Sequence, residues 1–181
     1  MIETERLLLR PIGLDDVADC TALWGDPATM GFIGNGQPLS AEEVWSRTLR
    51  HIGHWHALGY GYWAVRETAN GGFVGDVGFQ TLRRAIEPSL GDRPEIGWVL
   101  AAAAQGRGFA REAVAGVLDW ADAHLSADET CCIIRPAHAR SIRIAEAVGY
   151  QRTGTARYGA ASMEVFARPR GFQSRLLIPT S

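Results

Sequence analysis

The sequence predicts an α/β fold built on a mixed β-sheet. Three observations predict it: strand-like segments begin and end the chain, two aromatic and β-branched segments are joined by a turn, and strands alternate with amphipathic helices in the C-terminal half. Counting the segments gives about six to seven strands flanked by about four helices. With 181 residues, 46% of them apolar, the chain is expected to form a single domain over residues 1–181.

The N-terminal third contains one predicted strand and two predicted helices. Residues 4–10 are rich in leucine and alternate weakly, and Pro11 breaks this strand. A short helix is expected at 14–25. The sequence S-A-E-E at Ser40 places a glutamate three residues after a candidate N-cap, which is the capping-box arrangement, so a second helix is expected from there to Ala57.

A β-hairpin is predicted next, because the segments G-Y-G-Y-W-A-V-R-E and F-V-G-D-V-G-F-Q flank the turn A-N-G-G. In the C-terminal half, apolar residues recur at helical spacing over 108–125, and Gly149 is suited to end a helix over 139–148. The predicted strands of this half lie at 94–100, 130–135, 150–156 and 162–167.

The basic residues are all arginine: 18 arginines and no lysine. Pyridoxal enzymes and Schiff-base aldolases need a lysine amine, and Walker-type phosphate loops and protein kinases place a lysine against nucleotide phosphates, so these classes are excluded. The bias itself is explained by GC-rich coding. A net charge of −2 gives no overall basic surface for nucleic acid, and no direct nucleic-acid partner is expected.

Cysteine content and hydropathy predict a reduced, cytoplasmic protein. The three cysteines are Cys20, Cys131 and Cys132, an odd number without C-x-x-C spacing, so neither a disulfide framework nor a zinc site is indicated. The N-terminus lacks the basic and apolar regions of a signal peptide. The apolar run from Ile96 to Ala104 is far shorter than the ~20 residues that span a bilayer, so no membrane association is expected.

A glycine-rich turn connects a predicted strand to a predicted helix at Q-G-R-G-F-A. Gly106 and Gly108 allow the main chain to approach a ligand closely, and the helix start offers unpaired N–H groups and the positive end of the helix dipole. Arg107 and Arg111 can add positive charge. Alternatively, the glycines only turn a tight corner. The segment is neither a Walker loop nor G-x-G-x-x-G.

The spacing Gln105-x-x-Gly108-x-Ala110 resembles the acetyl-CoA loop of the GNAT superfamily of N-acetyltransferases. The segment H-A-R-S-I-R-I-A-E-A-V-G-Y is similar to N-x-x-S-x-R-v-x-e-x-x-G-F in the branch that includes the ribosomal-protein N-terminal acetyltransferases. The stretches E-T-E-R-L-L-L-R-P and G-F-V-G-D-V-G-F also resemble that branch. The resemblance therefore covers nearly the whole chain.

The resemblance implies a binding site for acetyl-CoA as co-substrate. The main-chain groups of Val99 and Leu100 would pair with the pantetheine arm, beside a splay that opens between the fourth and fifth strands, from Val99 to Ile133. The amides of one loop would hold the pyrophosphate; its residues are Gln105, Gly106, Arg107, Gly108, Phe109 and Ala110.

Two positions depart from the family pattern. His138 stands where the family commonly has asparagine, so it either replaces a hydrogen bond to the cofactor or has no role. Ala145 stands where many members have a tyrosine that protonates the departing thiolate. Ser141 is the nearest hydroxyl, and it either bonds the CoA sulfur or is only a small polar residue in the first turn of a helix.

Acyl transfer to an amine needs a proton acceptor, and Glu95 is the first candidate. It begins the strand that leads to the glycine loop, and burial near the splay would raise its pKa. The alternative is a surface glutamate at a strand start. Asp76 and Glu164 are the other acids considered.

The family resemblance implies an acceptor pocket near the end of the second helix, where His51, His54 and His56 lie with Trp55. These side chains line a pocket or only cap the helix. No carboxylate completes a metal-ligand spacing, so no metal is expected. The loop Met30–Gln37 is a further candidate contact for the acceptor.

Taken together, these features predict an acetyl-CoA-dependent N-acetyltransferase in which the acceptor amine attacks the thioester directly in a ternary complex. The acceptor is a protein N-terminal α-amine or a small-molecule amine; a small cationic acceptor would favour an acidic pocket. The alternative is a CoA-binding sensor or structural subunit without catalysis. A homodimer is compatible with the sequence.

Overall fold

One mixed sheet of nine strands organises the chain in a computed structural model that describes residues 1–31, 33–34 and 36–172. The strand order is β1-β2-β3-β4-β6-β7-β9-β8-β5. All neighbours are antiparallel except β6 and β7, which are parallel. The strands are β1 Ile2–Glu3, β2 Leu7–Pro11, β3 Tyr62–Glu67, β4 Phe73–Gln80, β5 Ile86–Glu87, β6 Glu95–Leu100, β7 Glu129–Ile134, β8 Gln151–Tyr158 and β9 Ala161–Pro169.

Five α-helices accompany the sheet in the described part of the chain. They are α1 Val17–Trp24, α2 Pro27–Met30, α3 Ala41–Leu58, α4 Phe109–His124 and α5 Ala139–Ala147, and short 3-10 turns precede α1 and α4 at Leu14–Asp16 and Ala102–Ala104. Within the described ranges, no helix is both long enough and apolar enough to cross a bilayer.

The predicted fold class is confirmed, and the predicted numbers of strands and helices were too low. The strands β1 and β5 and the helix α2 have only two to four residues each and carry no periodicity of their own. The predicted first strand at 4–10 begins later, at Leu7, because the chain turns at Thr4, whose N–H donates to the Leu7 carbonyl at 2.9 Å. This turn folds β1 back along β2. The expectation that Pro11 breaks this strand was wrong, since Pro11 is its last residue and pairs with Trp63.

The capping box predicted at Ser40 is present. The Ser40 hydroxyl accepts from the Glu43 N–H at 3.2 Å, and the Glu43 carboxylate accepts from the Ser40 N–H at 2.8 Å. At the other end, α3 stops at Gly59, whose φ of +74° is a left-handed conformation that favours glycine. α3 therefore begins and ends where its sequence dictates.

The strands β6 and β7 begin as a pair and then separate. Their register contains one partner pair, Glu95 with Cys131, beside which the Cys131 N–H donates to the Pro94 carbonyl at 3.0 Å. Beyond that point a cavity lies between them. The predicted splay from Val99 to Ile133 is thus confirmed, and it leaves one edge of β6 open over most of its length.

Candidate active site

A cavity of about 320 Å³ occupies the splay between β6 and β7. One wall is formed by residues Glu95–Val99 of β6 and Cys132–Ile134 of β7, and the opposite wall by side chains from α1, α3 and β3. From the predicted acceptor loop, Met30, Ile33 and Gly34 line the cavity, whereas Phe32 and Asn35 lie outside the described residues. The cavity therefore extends from the open edge of β6 to the side chains of α1, α3 and β3.

The glycine loop that follows β6 has the backbone geometry of an anion site. Gly106 and Gly108 have φ of +77° and +82°, and residues 105–108 are exposed. Gly108 is the N-cap of α4, so the amides of Phe109 and Ala110 begin a 16-residue helix and have no carbonyl partner within it. Successive N–H groups at the positive end of a helix dipole suit a phosphate.

The long side chains of the loop are already engaged. The Arg107 guanidinium donates to the Glu67 carboxylate at 2.6 Å and stacks 4.4 Å from the centre of the Phe109 ring. The Gln105 amide donates to the Leu100 carbonyl at 3.1 Å. Because Glu67 compensates its charge, Arg107 offers a ligand chiefly its main-chain N–H.

The open edge of β6 presents the main chain of Leu100 and not that of Val99. A Cβ built on Gly75 of β4 would lie 2.1 Å from the Val99 carbonyl oxygen, so that oxygen faces β4. Carbonyl directions alternate along a strand, which turns the Leu100 carbonyl toward the gap. Any contact of Val99 with a cofactor would come from its side chain, which lines the cavity.

The predicted base, Glu95, lies in the cavity. Its side chain is 15% exposed and is paired with Arg84, itself 16% exposed. Burial raises the pKa of Glu95 above its usual value, and the adjacent Arg84 guanidinium offsets part of that rise. A carboxylate with a raised pKa is suited to accept a proton near neutral pH.

The other two acids considered do not line the cavity. Asp76 is buried and accepts from Trp24 Nε1 at 2.7 Å, and burial raises its pKa to about 6. Glu164 pairs with Arg152 at 3.3 Å. Of these three acids, only Glu95 lines the cavity.

The start of α5 brings His138 and Ser141 to the cavity wall. Their Nε2 and Oγ atoms lie 3.4 Å apart, and Ser141 is 8% exposed. Burial, together with the charge of Arg140, lowers the pKa of His138 and favours the neutral imidazole. Ala145 is fully buried in the core, so no hydroxyl occupies that position.

None of the three histidines of α3 lines the cavity: His51 and His54 pack within the fold, and His56 is exposed. His51 is 2% exposed, accepts from the Gln80 amide at 2.8 Å, and has its pKa lowered to about 2 by burial. His54 Nε2 accepts from the Thr81 N–H at 3.1 Å. Over the described residues, no group of three or more His, Cys, Asp or Glu side chains could hold a metal ion.

Sequence reasoning missed the wall opposite the gap, formed by Trp24, Arg47 and Tyr62. These residues come from α1, α3 and β3, and the Arg47 guanidinium carbon lies 3.8 Å from the centre of the Trp24 ring. No short motif links them, because only the packing of α3 and α1 on the sheet brings them together. The alternation of β3 was the one available signal, and it places Tyr62 on the face that carries Ala64.

Tyr62 fits only because residue 97 is glycine. A Cβ on Gly97 would lie 2.1 Å from the Tyr62 hydroxyl oxygen and 3.4 Å from Cζ. The ring cannot withdraw easily, since it is 7% exposed and its centre lies 4.5 Å from that of the His51 ring. The pair therefore fixes the shape of the cavity beside β6.

We expect Gly97→Ala to lower the free energy of unfolding by roughly 1–3 kcal/mol through overpacking. In a Tyr62→Phe background the closest contact is gone, so the same change should cost much less. Denaturant unfolding of the four proteins measures both costs. Equal costs in the two backgrounds would show that Tyr62 does not constrain residue 97.

Comparison with known proteins identifies the class. A family model described as an acetyltransferase (GNAT) domain matches residues 6–151. A Bordetella pertussis protein assigned to the GnaT acetyltransferase family is 26% identical, with a TM-score of 0.80, over 92% of this chain and 98% of that chain. The chain belongs to the GNAT acetyltransferase family, and the resemblance found in the sequence is confirmed.

Two further solved structures share the fold at lower identity. The spermidine N-acetyltransferase from Vibrio cholerae, solved with CoA and spermine, is 16% identical with a TM-score of 0.72, over 92% of this chain and 97% of that one. A ribosomal L7/L12 α-N-protein acetyltransferase, RimL, solved with coenzyme A, is 19% identical with a TM-score of 0.74, over 92% and 95%. These two enzymes share one fold, although one is named for acetylating a polyamine and the other for acetylating a protein.

Proposed function

We propose that this protein is an acetyl-CoA-dependent N-acetyltransferase that transfers the acetyl group to a primary amine by direct attack in a ternary complex. The observation that carries the proposal is the open splay, which joins an exposed glycine loop to a cavity holding the buried carboxylate Glu95. The acceptor is a protein N-terminal amine or a small-molecule amine.

The residues present fit acetyl-CoA. The amides of Gly106, Gly108, Phe109 and Ala110 would hold the pyrophosphate, and their exposed, left-handed turn supports this assignment. The open edge of β6 at Leu100 would pair with the extended pantetheine arm as a further strand would, and Val99 would pack against that arm. His138 and Ser141 lie where the splay meets α5.

The chemistry divides between two side chains. Bound acetyl-CoA supplies an activated thioester carbonyl. Glu95 would accept the proton from the acceptor ammonium, directly or through water, because burial raises the pKa of its carboxyl and makes it a stronger base than an exposed glutamate. The Ser141 hydroxyl would donate a hydrogen bond toward the sulfur that leaves, with His138 Nε2 as its neighbour at 3.4 Å.

Direct attack is favoured over a covalent acyl-enzyme by the state of the cysteines. Burial raises the pKa of Cys131 to about 12 and that of Cys132 well above its usual value. Both would remain thiols at neutral pH, and thiols are poor nucleophiles.

The test combines calorimetry with acetyl-CoA and a free-thiol release assay across a panel of amines. We expect the protein to bind acetyl-CoA and to release CoA only when an amine is present. Incubation with acetyl-CoA alone should leave the mass of the protein unchanged, because no acetyl-enzyme forms. Tight binding with no turnover on any amine would favour a non-catalytic sensor. A stable acetyl-protein that passes its group to the amine would contradict direct attack.

A further inference from the structure

We infer that the acceptor is a small amine that also carries a carboxylate, and that Arg47 binds this carboxylate on the wall facing the splay. The inference rests on the proposed function and specifies its substrate class. It follows from the charge, the packing and the size of the cavity.

Arg47 is positioned as an anion receptor. Its guanidinium carbon lies 3.8 Å from the centre of the Trp24 ring and 5.6 Å from that of Tyr62, and its Nε is buried without a hydrogen-bond partner. Among the residues that the structure describes, no carboxylate oxygen lies within 4.0 Å of it. A planar guanidinium packed on an aromatic face can donate two parallel hydrogen bonds to a carboxylate, and because Nε is buried, both would come from the two terminal nitrogens.

The other charges around the cavity do not create an acidic pocket. Glu95 is already paired with Arg84, and the Arg135 guanidinium, also on the lining, donates to the Gly34 carbonyl. Asp76 accepts the indole N–H of Trp24, and the positive charge of Arg47 lowers the pKa of this buried carboxyl, so Asp76 offsets part of the Arg47 charge without pairing with it directly. Arg50, three residues after Arg47 on α3, adds a further positive charge. The arginines around the cavity would therefore repel a polycation, which needs free carboxylates as partners. The same arginines would attract an anionic group.

The cavity also limits the size and the polarity of the acceptor. About 320 Å³ must accommodate both the reacting end of acetyl-CoA and the acceptor, and Trp24, Met30 and Leu39 make the acceptor side largely apolar. The Tyr62 hydroxyl lies against Gly97 at the splay, and the centre of its ring lies 5.6 Å from the Arg47 guanidinium carbon, so Arg47 and the splay are at opposite ends of one tyrosine side chain. A free amino acid with an apolar side chain fits these constraints, whereas the N-terminal residue of a peptide has a neutral amide in place of the carboxylate.

The experiment compares matched acceptors on the wild-type protein and two variants. The acceptors are L-methionine and L-phenylalanine, the amides of both, an acidic N-terminal peptide and spermidine. Arg47→Gln removes the proposed receptor, and Arg83→Gln is the charge-matched control, because Arg83 is 86% exposed and does not line the cavity. Unfolding midpoints check that the variants are folded.

We expect the free amino acids to exceed their amides in kcat/KM by about 10-fold or more, and Arg47→Gln to reduce kcat/KM on the free amino acids by roughly 10–100-fold, with a clearly smaller reduction on the amides. Arg83→Gln should behave as the wild type. Preference for spermidine, for the peptide or for the amides would overturn the inference, as would an equal loss on all acceptors in Arg47→Gln.

A binding measurement separates this inference from the proposed function. Calorimetric titration of L-methionine and L-phenylalanine into the protein–CoA complex needs no turnover. Binding that Arg47→Gln weakens and Arg83→Gln does not would support the carboxylate site even if no amine were acetylated, in which case the proposed function alone fails. Absence of binding together with absence of turnover on both amino acids would overturn the inference.

Discussion

Replacing Gly108 by valine should weaken acetyl-CoA binding by at least about 100-fold, since each hydrogen bond to a charged group contributes roughly 1.5–3 kcal/mol and the loop would lose more than one. Gly108 has a φ of +82° at the N-cap of α4. A β-branched residue avoids this left-handed conformation, so the backbone must rotate and the amides that follow must turn away from a common centre. Calorimetry with acetyl-CoA measures the loss.

Gly59→Val is the matched control for this change. Gly59 has a similar φ of +74° at the end of α3, and a Cβ there would meet no atom within 4 Å. Both variants should therefore lose comparable stability, about 1–2 kcal/mol for a left-handed valine, while only Gly108→Val loses the cofactor. If Gly108→Val bound acetyl-CoA with wild-type affinity, the loop would be no more than a tight corner.

The conformation of the proposed cofactor loop could be predicted from the sequence because its residues are contiguous. A strand, two glycines and a helix start within one stretch predict the turn of Gln105–Ala110, and the splay beside it follows from the family resemblance. Glu95 lies at the start of the same strand, so the alternation of β6 together with the splay implied by the family resemblance made it a candidate.

The acceptor side could not be predicted because its residues meet only in the folded chain. In the sequence, Arg47 is one of two arginines in the segment that forms α3, and no neighbouring residue or motif distinguishes it from Arg50. Its partner Trp24 is 23 positions earlier, on α1. The same reason explains the missed strand β5, which exists because Ile86 pairs with Tyr158 of β8, 72 positions later. Long-range pairing leaves no periodic signal in two residues.

Replacing Glu95 by glutamine should lower kcat on any accepted amine by about 100-fold or more at neutral pH, which is the usual contribution of a general base. Glutamine keeps the size of the side chain and can still accept a hydrogen bond from Arg84, but it cannot take a proton. Because Glu95 is the only one of the three acids considered that lines the cavity, no neighbouring carboxylate among them can substitute. Glu164→Gln is the matched control and should retain wild-type kcat, since Glu164 pairs with Arg152.

The role of Glu95 as the base also predicts how kcat depends on pH. Burial raises the pKa of Glu95, so the wild-type kcat should fall as the pH drops through that raised value and the carboxylate becomes protonated. Arg84 holds the pKa below what burial alone would give, so Arg84→Met should move this acidic limb to higher pH while leaving activity above it. Glu95→Gln should have no such limb. A limb that survives in Glu95→Gln, or that moves to lower pH in Arg84→Met, would assign the proton transfer to another group.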